Sequence, residues 1–150
     1  MKNEYAGDIG DYGKYDLLRF QDNHGIKTGV TLEPLDFPFS VCKVTDYSGI
    51  EIDQPFVFTG RTDEEKSLVC PTELVPDNTL ARDDGWRAFR ICGQLDFSLI
   101  GILARISKIL AENAIGIFAI STYNTDYILT KEENFEKALT VLAGESSVSV

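Results

Sequence analysis

The sequence predicts an α+β fold in which an antiparallel sheet carries both of its helices on one face. Three observations predict it. Leu99, Leu103, Ile106 and Leu110 fall at i, i+4, i+7 and i+11, one apolar face of a 3.6-residue period. The stretch Ile115 to Leu129 reads as two strands joined by a short polar turn, Ser121 to Asp126. Thr130-Lys-Glu-Glu133 then has the form of a capping box opening a second helix, whose buried face is Phe135, Ala138, Leu139 and Leu142. With Trp86 to Gly93 as the preceding strand, the C-terminal half runs β-α-β-β-α. That is the split-βαβ order of a ferredoxin-like unit.

The other elements follow in chain order. Residues 1 to about 35 are rich in Gly, Asp and Tyr, with Gly7, Gly10 and Gly13 at a spacing of three. No Lys-Ser/Thr follows these glycines, and Asp8 and Asp11 repel phosphate, so the segment reads as a flexible or docked arm and not as a phosphate loop. Tyr15 to Phe20 is expected to form one or two helical turns within it. Phe39 to Val44 alternates apolar and polar residues, the period of a half-buried strand. Val57 to Gly60 and Ser67 to Cys70 are two more strands around the charged reversal Arg61 to Lys66. Pro71 and Pro76 bracket one helical turn, and Asp77 to Gly85 reads as a surface loop. Asp96 or Ser98 suits the start of the first long helix and Asn113 its end, with Arg105, Lys108 and Glu112 on the wet side. The tail from Glu145 is expected to be an edge strand or disordered. The first half looks like a degenerate copy of the second in element order alone, without a residue-level repeat. The expected division is an extension over 1–35, a first unit over 36–85 and a second over 86–150.

Composition narrows the function. A chain of 150 residues suffices for one domain or two small ones sharing a core. The formal net charge of −10 argues against nucleic acid and against a polybasic membrane anchor, because both require a basic surface. No apolar run approaches the roughly 20 residues of a membrane span, and Met1 to Tyr5 lacks the pattern of a signal peptide. Cys42, Cys70 and Cys92 are odd in number and sit in apolar contexts, which fits buried free thiols in a cytoplasmic protein. His24 is the single histidine, so neither a zinc site nor another cofactor is expected.

Three segments, Leu95 to Ser107, Ala111-Glu-Asn113 and Ile120 to Leu129, resemble the ACT domain. The resemblance is to small proteins that consist of a tandem pair of ACT units. Phe39 to Val44, Leu68 to Glu73 and Asp84 to Arg90 are similar to the first unit and connector of such a pair. The resemblance implies a regulatory protein that binds a small molecule, an amino acid above all, at an interface between units. A cytosolic arginine sensor is built from related pairs. By motif position, Thr122, Tyr123, Thr125 and Asp126 become ligand contacts, together with the loop Asp96, Phe97, Ser98, Leu99, Ile100, Gly101 and Ile102.

The residue chemistry agrees with that implication and leaves alternatives open. A helix N-terminus offers free N–H groups to a carboxylate, and Gly101 lets a ligand approach closely. Asp126 suits an ammonium group, while Ser121, Thr122 and Asn124 provide neutral donors and acceptors. Against this, Asp96 and Ser98 serve equally as helix caps, and Asn124, Thr125 and Asp126 as turn formers. A homodimeric assembly module that has no ligand and acts on a partner enzyme is the alternative function. An acid–base enzyme using Asp96 and Asp126 is disfavoured, because no HExxH, GxSxG or glycine fingerprint accompanies them.

Overall fold

The structure, a computed structural model, describes residues 15–21, 27–92 and 101–148, with side chains over 30–92 and 101–144. Its elements are β1 (Tyr15–Gln21), β2 (Lys27–Pro34), β3 (Phe39–Val44), β4 (Phe58–Arg61), β5 (Lys66–Pro71), β6 (Thr79–Cys92), α1 (Ile102–Glu112), β7 (Phe118–Ser121), β8 (Asp126–Lys131) and α2 (Glu132–Val148). The fold is α+β with antiparallel strands, as the element order requires. It divides into two compact units. Among the described residues one unit holds 37–87, and the other holds 15–21, 27–36, 88–92 and 101–148.

In the second unit the strand order is β1-β2-β6-β8-β7. Val30, Leu32, Phe89, Ile91 and Ile128 supply the sheet side of the core. Against them α1 sets Ile102, Ile106, Ile109 and Leu110, and α2 sets Phe135, Ala138, Leu139 and Leu142. The spacing of the α1 residues is the apolar stripe of the sequence, centred on Ile106 and Leu110, both fully buried.

The end of α1 shows how locally the sequence dictates geometry. Ala114 N–H donates to the Ala111 carbonyl at 3.0 Å and Ile115 N–H to that of Leu110 at 2.9 Å, the paired bonds of a Schellman motif. Asn113 Nδ2 adds a bond to the Ile109 carbonyl at 2.8 Å. Ile115 is then buried against Leu110 in the core. The motif needs a left-handed residue, and Ala114 supplies it at φ 59° against the preference of an L side chain. Ala114→Gly is therefore expected to stabilise the protein by about 0.5–1 kcal/mol. The check is a higher urea midpoint at unchanged slope.

The first unit has the order β6-β3-β5-β4. Where the second unit has helices, this one has a loop, residues 45–57, and a 3-10 turn at Thr72–Leu74. Ile50, helped by Tyr47, Val57, Leu74 and Val75, covers Cys42, Val44, Leu68 and Cys70. Phe56 holds a left-handed φ of 63°, its ring tilted 5.3 Å from that of Phe37 and edge-on 6.4 Å from that of Phe39, between ring centres. In β6, Asp84 and Gly85 together face Ser40, a β-bulge made possible by Gly85 at φ 82°. The Ser40 hydroxyl, fully buried, donates to Asp84 across this bulge.

Several sequence expectations are corrected. Tyr15–Gln21 is a strand and not helical turns, because it pairs in a hairpin with the adjacent β2. Thr79 to Gly85 is strand and not loop; its side chains are mostly exposed, so the apolar alternation is missing although β3 pairs with it. Helix α1 starts at Ile102 with Gly101 as its N-cap, later than Leu99, and no side chain among the described residues caps it; the expected caps Asp96 and Ser98 lie outside them. Helix α2 starts at Glu132, one residue later than the capping box requires, and Thr130 is a buried residue of β8. The helix also continues to Val148, so the tail is not an edge strand up to that residue.

Candidate functional site

The β7–β8 hairpin places the polar turn. Ser121 pairs with Asp126, leaving residues 122–125 as the loop. Thr122 N–H donates to the Thr125 carbonyl at 2.8 Å, and the Thr122 hydroxyl donates to the same oxygen at 2.8 Å. Thr125 N–H reaches back to the Thr122 hydroxyl at 3.4 Å. The Thr125 hydroxyl donates to the carbonyl of Ile91 in β6. Both threonine hydroxyls therefore hold the turn's shape, the bond pattern of a turn former. They also tie it to the strand from which residues 93–100 depart.

The remaining turn side chains behave differently. Ser121, Tyr123, Asn124 and Asp126 make no side-chain hydrogen bond or ion pair among the described residues. Tyr123 is fully exposed at the tip, and Asp126 is half-buried at the base. A hydroxyl, a phenol, an amide and a carboxylate thus stand uncommitted on a turn that the threonines make rigid. Of the loop expected to face them, Asp96, Phe97, Ser98, Leu99 and Ile100 lie outside the described residues. Gly101 takes φ 93°, and its carbonyl accepts the first helical bond, from Arg105 N–H at 2.9 Å. Ile102 is 5% exposed and belongs to the core.

A second polar group on this unit was not anticipated from sequence. Glu33 of β2, 5% exposed, accepts from Arg90 Nη2 at 3.1 Å and Nε at 3.4 Å, and from the Cys92 thiol at 2.9 Å. Tyr127 of β8 is hydrogen-bonded to Arg90 as well. Burial lowers the Arg90 pKa, and the bonds to Glu33 and Tyr127 more than reverse this, so the guanidinium stays charged. The alternation in Trp86 to Cys92 does put Arg90 and Cys92 on one face. Nothing local points to Glu33 as their partner, because its strand lies far away in sequence.

The cysteines are free, Cys42 and Cys70 buried and Cys92 partly so. Burial pushes the Cys70 thiol up to about 12, and burial with the bond to Glu33 pushes Cys92 up to about 11. Since the folded values lie above the unfolded ones, the stability these thiols contribute is complete below about pH 9 and is lost as pH rises through 11 to 12. At pH 8 the low thiolate fraction is expected to slow alkylation of folded Cys92 roughly a hundredfold relative to the urea-unfolded chain. Mass spectrometry of iodoacetamide-treated protein reads this directly; equal rates would show that the thiol is not so held.

A family model for the ACT domain matches residues 81–144. A crystal structure of a protein from Agobacterium tumefaciens is 30% identical, covering 75% of this chain and 86% of that one at a TM-score of 0.67. The ligand-free regulatory subunit of aspartate kinase from Thermus thermophilus aligns over 79% of this chain and 97% of that one, at 13% identity and a TM-score of 0.51. The aspartate kinase of Clostridium acetobutylicum aligns at 14% identity and a TM-score of 0.57, over 81% of this chain and 35% of that one. At such identities the two kinase structures share the fold. No curated protein sequence matches the chain. The hairpin, the helix that precedes it and these matches define an α+β domain of the ferredoxin-like type. Residues 81–144 belong to the ACT-domain family. Among the described residues, no helix is long and apolar enough to cross a membrane.

Proposed function

We propose that this chain is a non-catalytic regulatory protein that binds a free amino acid. Its two compact units act as a pair of ACT units, the first degenerate. The ligand sits at an interface between units, within the chain or across a cytoplasmic homodimer, and biases how they pack. Ser121, Asn124 and Asp126 contact it from the turn, and residues 96–101 from the approach to α1. The observation that carries this reading is the turn itself. Two threonine hydroxyls fix its backbone while the neighbouring polar groups have no partner among the described residues.

Family membership and the regulatory aspartate-kinase subunit of the same fold support the reading. A ligand at about 100 times its dissociation constant adds roughly 2.7 kcal/mol to stability, which a thermal-shift screen against the free amino acids resolves. Asp126→Ala is expected to weaken that ligand about 10- to 100-fold, the worth of one charge-assisted hydrogen bond, without moving the melting point of the free protein by more than a degree or two. Unchanged affinity in the variant rules out Asp126 as a contact. A flat response to every amino acid removes the sensor reading.

The second reading is an assembly module with no ligand. Among the described residues strand β7 pairs only with β8, and Gly116 to Ser121 carries no charge to blunt that edge. This reading is favoured if the protein is a dimer at micromolar concentration and no small molecule shifts its melting.

A further inference from the structure

Two thiols meet on one face of the first unit. Ser40 pairs with Cys70 and Cys42 with Leu68 in the β3–β5 ladder, so Cys42 and Cys70 point to the same side as diagonal neighbours. Both belong to the apolar cluster that Ile50 covers, at 3% and 0% exposure, and both are free. They lie close enough that a charge on Cys42 pushes the Cys70 thiol up, beyond what burial already does. Spacing decides what the pair can do. Diagonal neighbours stand about 6–7 Å apart between Cβ atoms, whereas a disulfide needs about 3.5–4.5 Å. The ladder therefore holds the pair about 2 Å too wide for an S–S bond. A single ion between the sulfurs closes that gap, since two metal–sulfur bonds of about 2.3 Å in line set them about 4.5 Å apart.

We infer that Cys42 and Cys70 form a two-coordinate site for a soft monovalent metal ion, Cu(I) above all. Ligand number selects that class. No group of three or more His, Cys, Asp or Glu able to hold a metal occurs among the described residues, so the four-ligand shell of zinc is not met. Two sulfurs in apolar surroundings suit an ion that is soft and content with two ligands. On binding, both S–H bonds break, two metal–sulfur bonds form and two protons leave to water, with no change of oxidation state. Burial pushes Cys42 up and Cys70 up to about 12, so the empty site holds both protons and is neutral. A monovalent ion on two thiolates leaves one negative charge. Arg82, opposite Cys42 in β6, favours negative charge on both sulfurs, while Asp84, bonded to Arg82, opposes it at Cys42. A divalent ion would form a neutral complex and gain nothing from the arginine. Entry is through loop 45–57, where Ile50 closes over the pair, and a loop opens more readily than a packed helix. The site lies wholly in the first unit and owes nothing to the turn Ser121–Asp126.

The test is an anaerobic titration of the reduced, full-length protein with Cu(I) supplied as the complex of a coloured chelator. One equivalent is expected to pass to the protein, with two protons released. Copper X-ray absorption of the loaded wild-type protein should count two sulfur ligands, a reading that depends on no variant. Cys42→Ala and Cys70→Ala should each weaken binding about a hundredfold or more, because losing one ligand of two exceeds the 10- to 100-fold effect of an outer-shell change. Cys92→Ala should leave binding unchanged. Failure of the protein to take copper from the chelator overturns the inference. So does uptake that survives in a folded Cys42→Ala or Cys70→Ala variant, or uptake that disappears with Cys92→Ala. A third ligand, or a nitrogen or oxygen ligand, in the absorption spectrum also overturns it. Zn(II) displacing Cu(I) at equal concentration does the same, because zinc would need ligands beyond the pair.

Discussion

Replacing Arg90 with alanine is expected to lower the unfolding free energy by about 2–4 kcal/mol, among the largest losses available from any charged residue of the second unit. The reason is what the substitution leaves behind. The Glu33 carboxylate is buried to 5% exposure and takes two bonds from the guanidinium. Without Arg90 it loses both of those bonds, and the Cys92 thiol is a weak donor for a full negative charge. Removing one member of a buried pair typically costs about 3–5 kcal/mol, and the 24% exposure of the arginine side chain reduces that figure through solvent screening. Arg90→Met combined with Glu33→Leu removes both charges and is expected to recover most of the loss. Urea unfolding of the single and double variants measures this. A single variant within about 0.5 kcal/mol of the parent would mean the pair is solvated and carries no stability.

The second large effect is steric. Phe135 of α2 is 1% exposed, packs in the helix–sheet core and lies 6.3 Å, ring centre to ring centre, from Phe89 of β6. Phe135→Ala is expected to cost about 3–5 kcal/mol, the transfer energy of the ring plus the cavity it leaves. Ile52→Ala, at a position 58% exposed, should stay within about 0.5 kcal/mol. Equal effects of the two substitutions would contradict the core described for the second unit.

The elements most legible in the sequence are those whose information is local. The stripe through Ile106 and Leu110 repeats over three turns, and the polar turn between β7 and β8 breaks two apolar runs, so both are visible without partners. Strands β1 and β2 are different. What makes them strands is pairing, β1 with β2 in a hairpin and β2 with the distant β6, Thr31 with Cys92 and Pro34 with Phe89. No window of a dozen residues contains that pairing. Exposed Thr79 to Gly85 fails for a related reason, because a strand that faces water on its side chains has no apolar period to betray it.

The site is legible to the same depth. Hydroxyls, an amide and a carboxylate at one reversal mark the turn, but sequence cannot separate those that build it from those that face outward. Geometry does, assigning Thr122 and Thr125 to the backbone. It also exposes the kinship of Thr62 and Thr122, whose N–H groups donate alike to the Glu65 and Thr125 carbonyls. Sequence hides this because the residues between each threonine and its strand share no identity.

The position of β2 bears on how the molecule comes into being. Ribosomes make Lys27–Pro34 early, yet the residues that pair with this strand, Phe89 to Cys92, arrive only after the whole of the first unit has been made. Val30 and Leu32, destined for complete burial, must wait through that interval. Among the described residues the intervening unit is the single run 37–87, which can close as soon as it is complete. Synthesis thus imposes an order of assembly, with the middle of the chain able to fold first and the two ends meeting last. During that wait the β1–β2 hairpin offers an unprotected edge, the point at which a chaperone has most to do and a neighbouring nascent chain most opportunity to interfere.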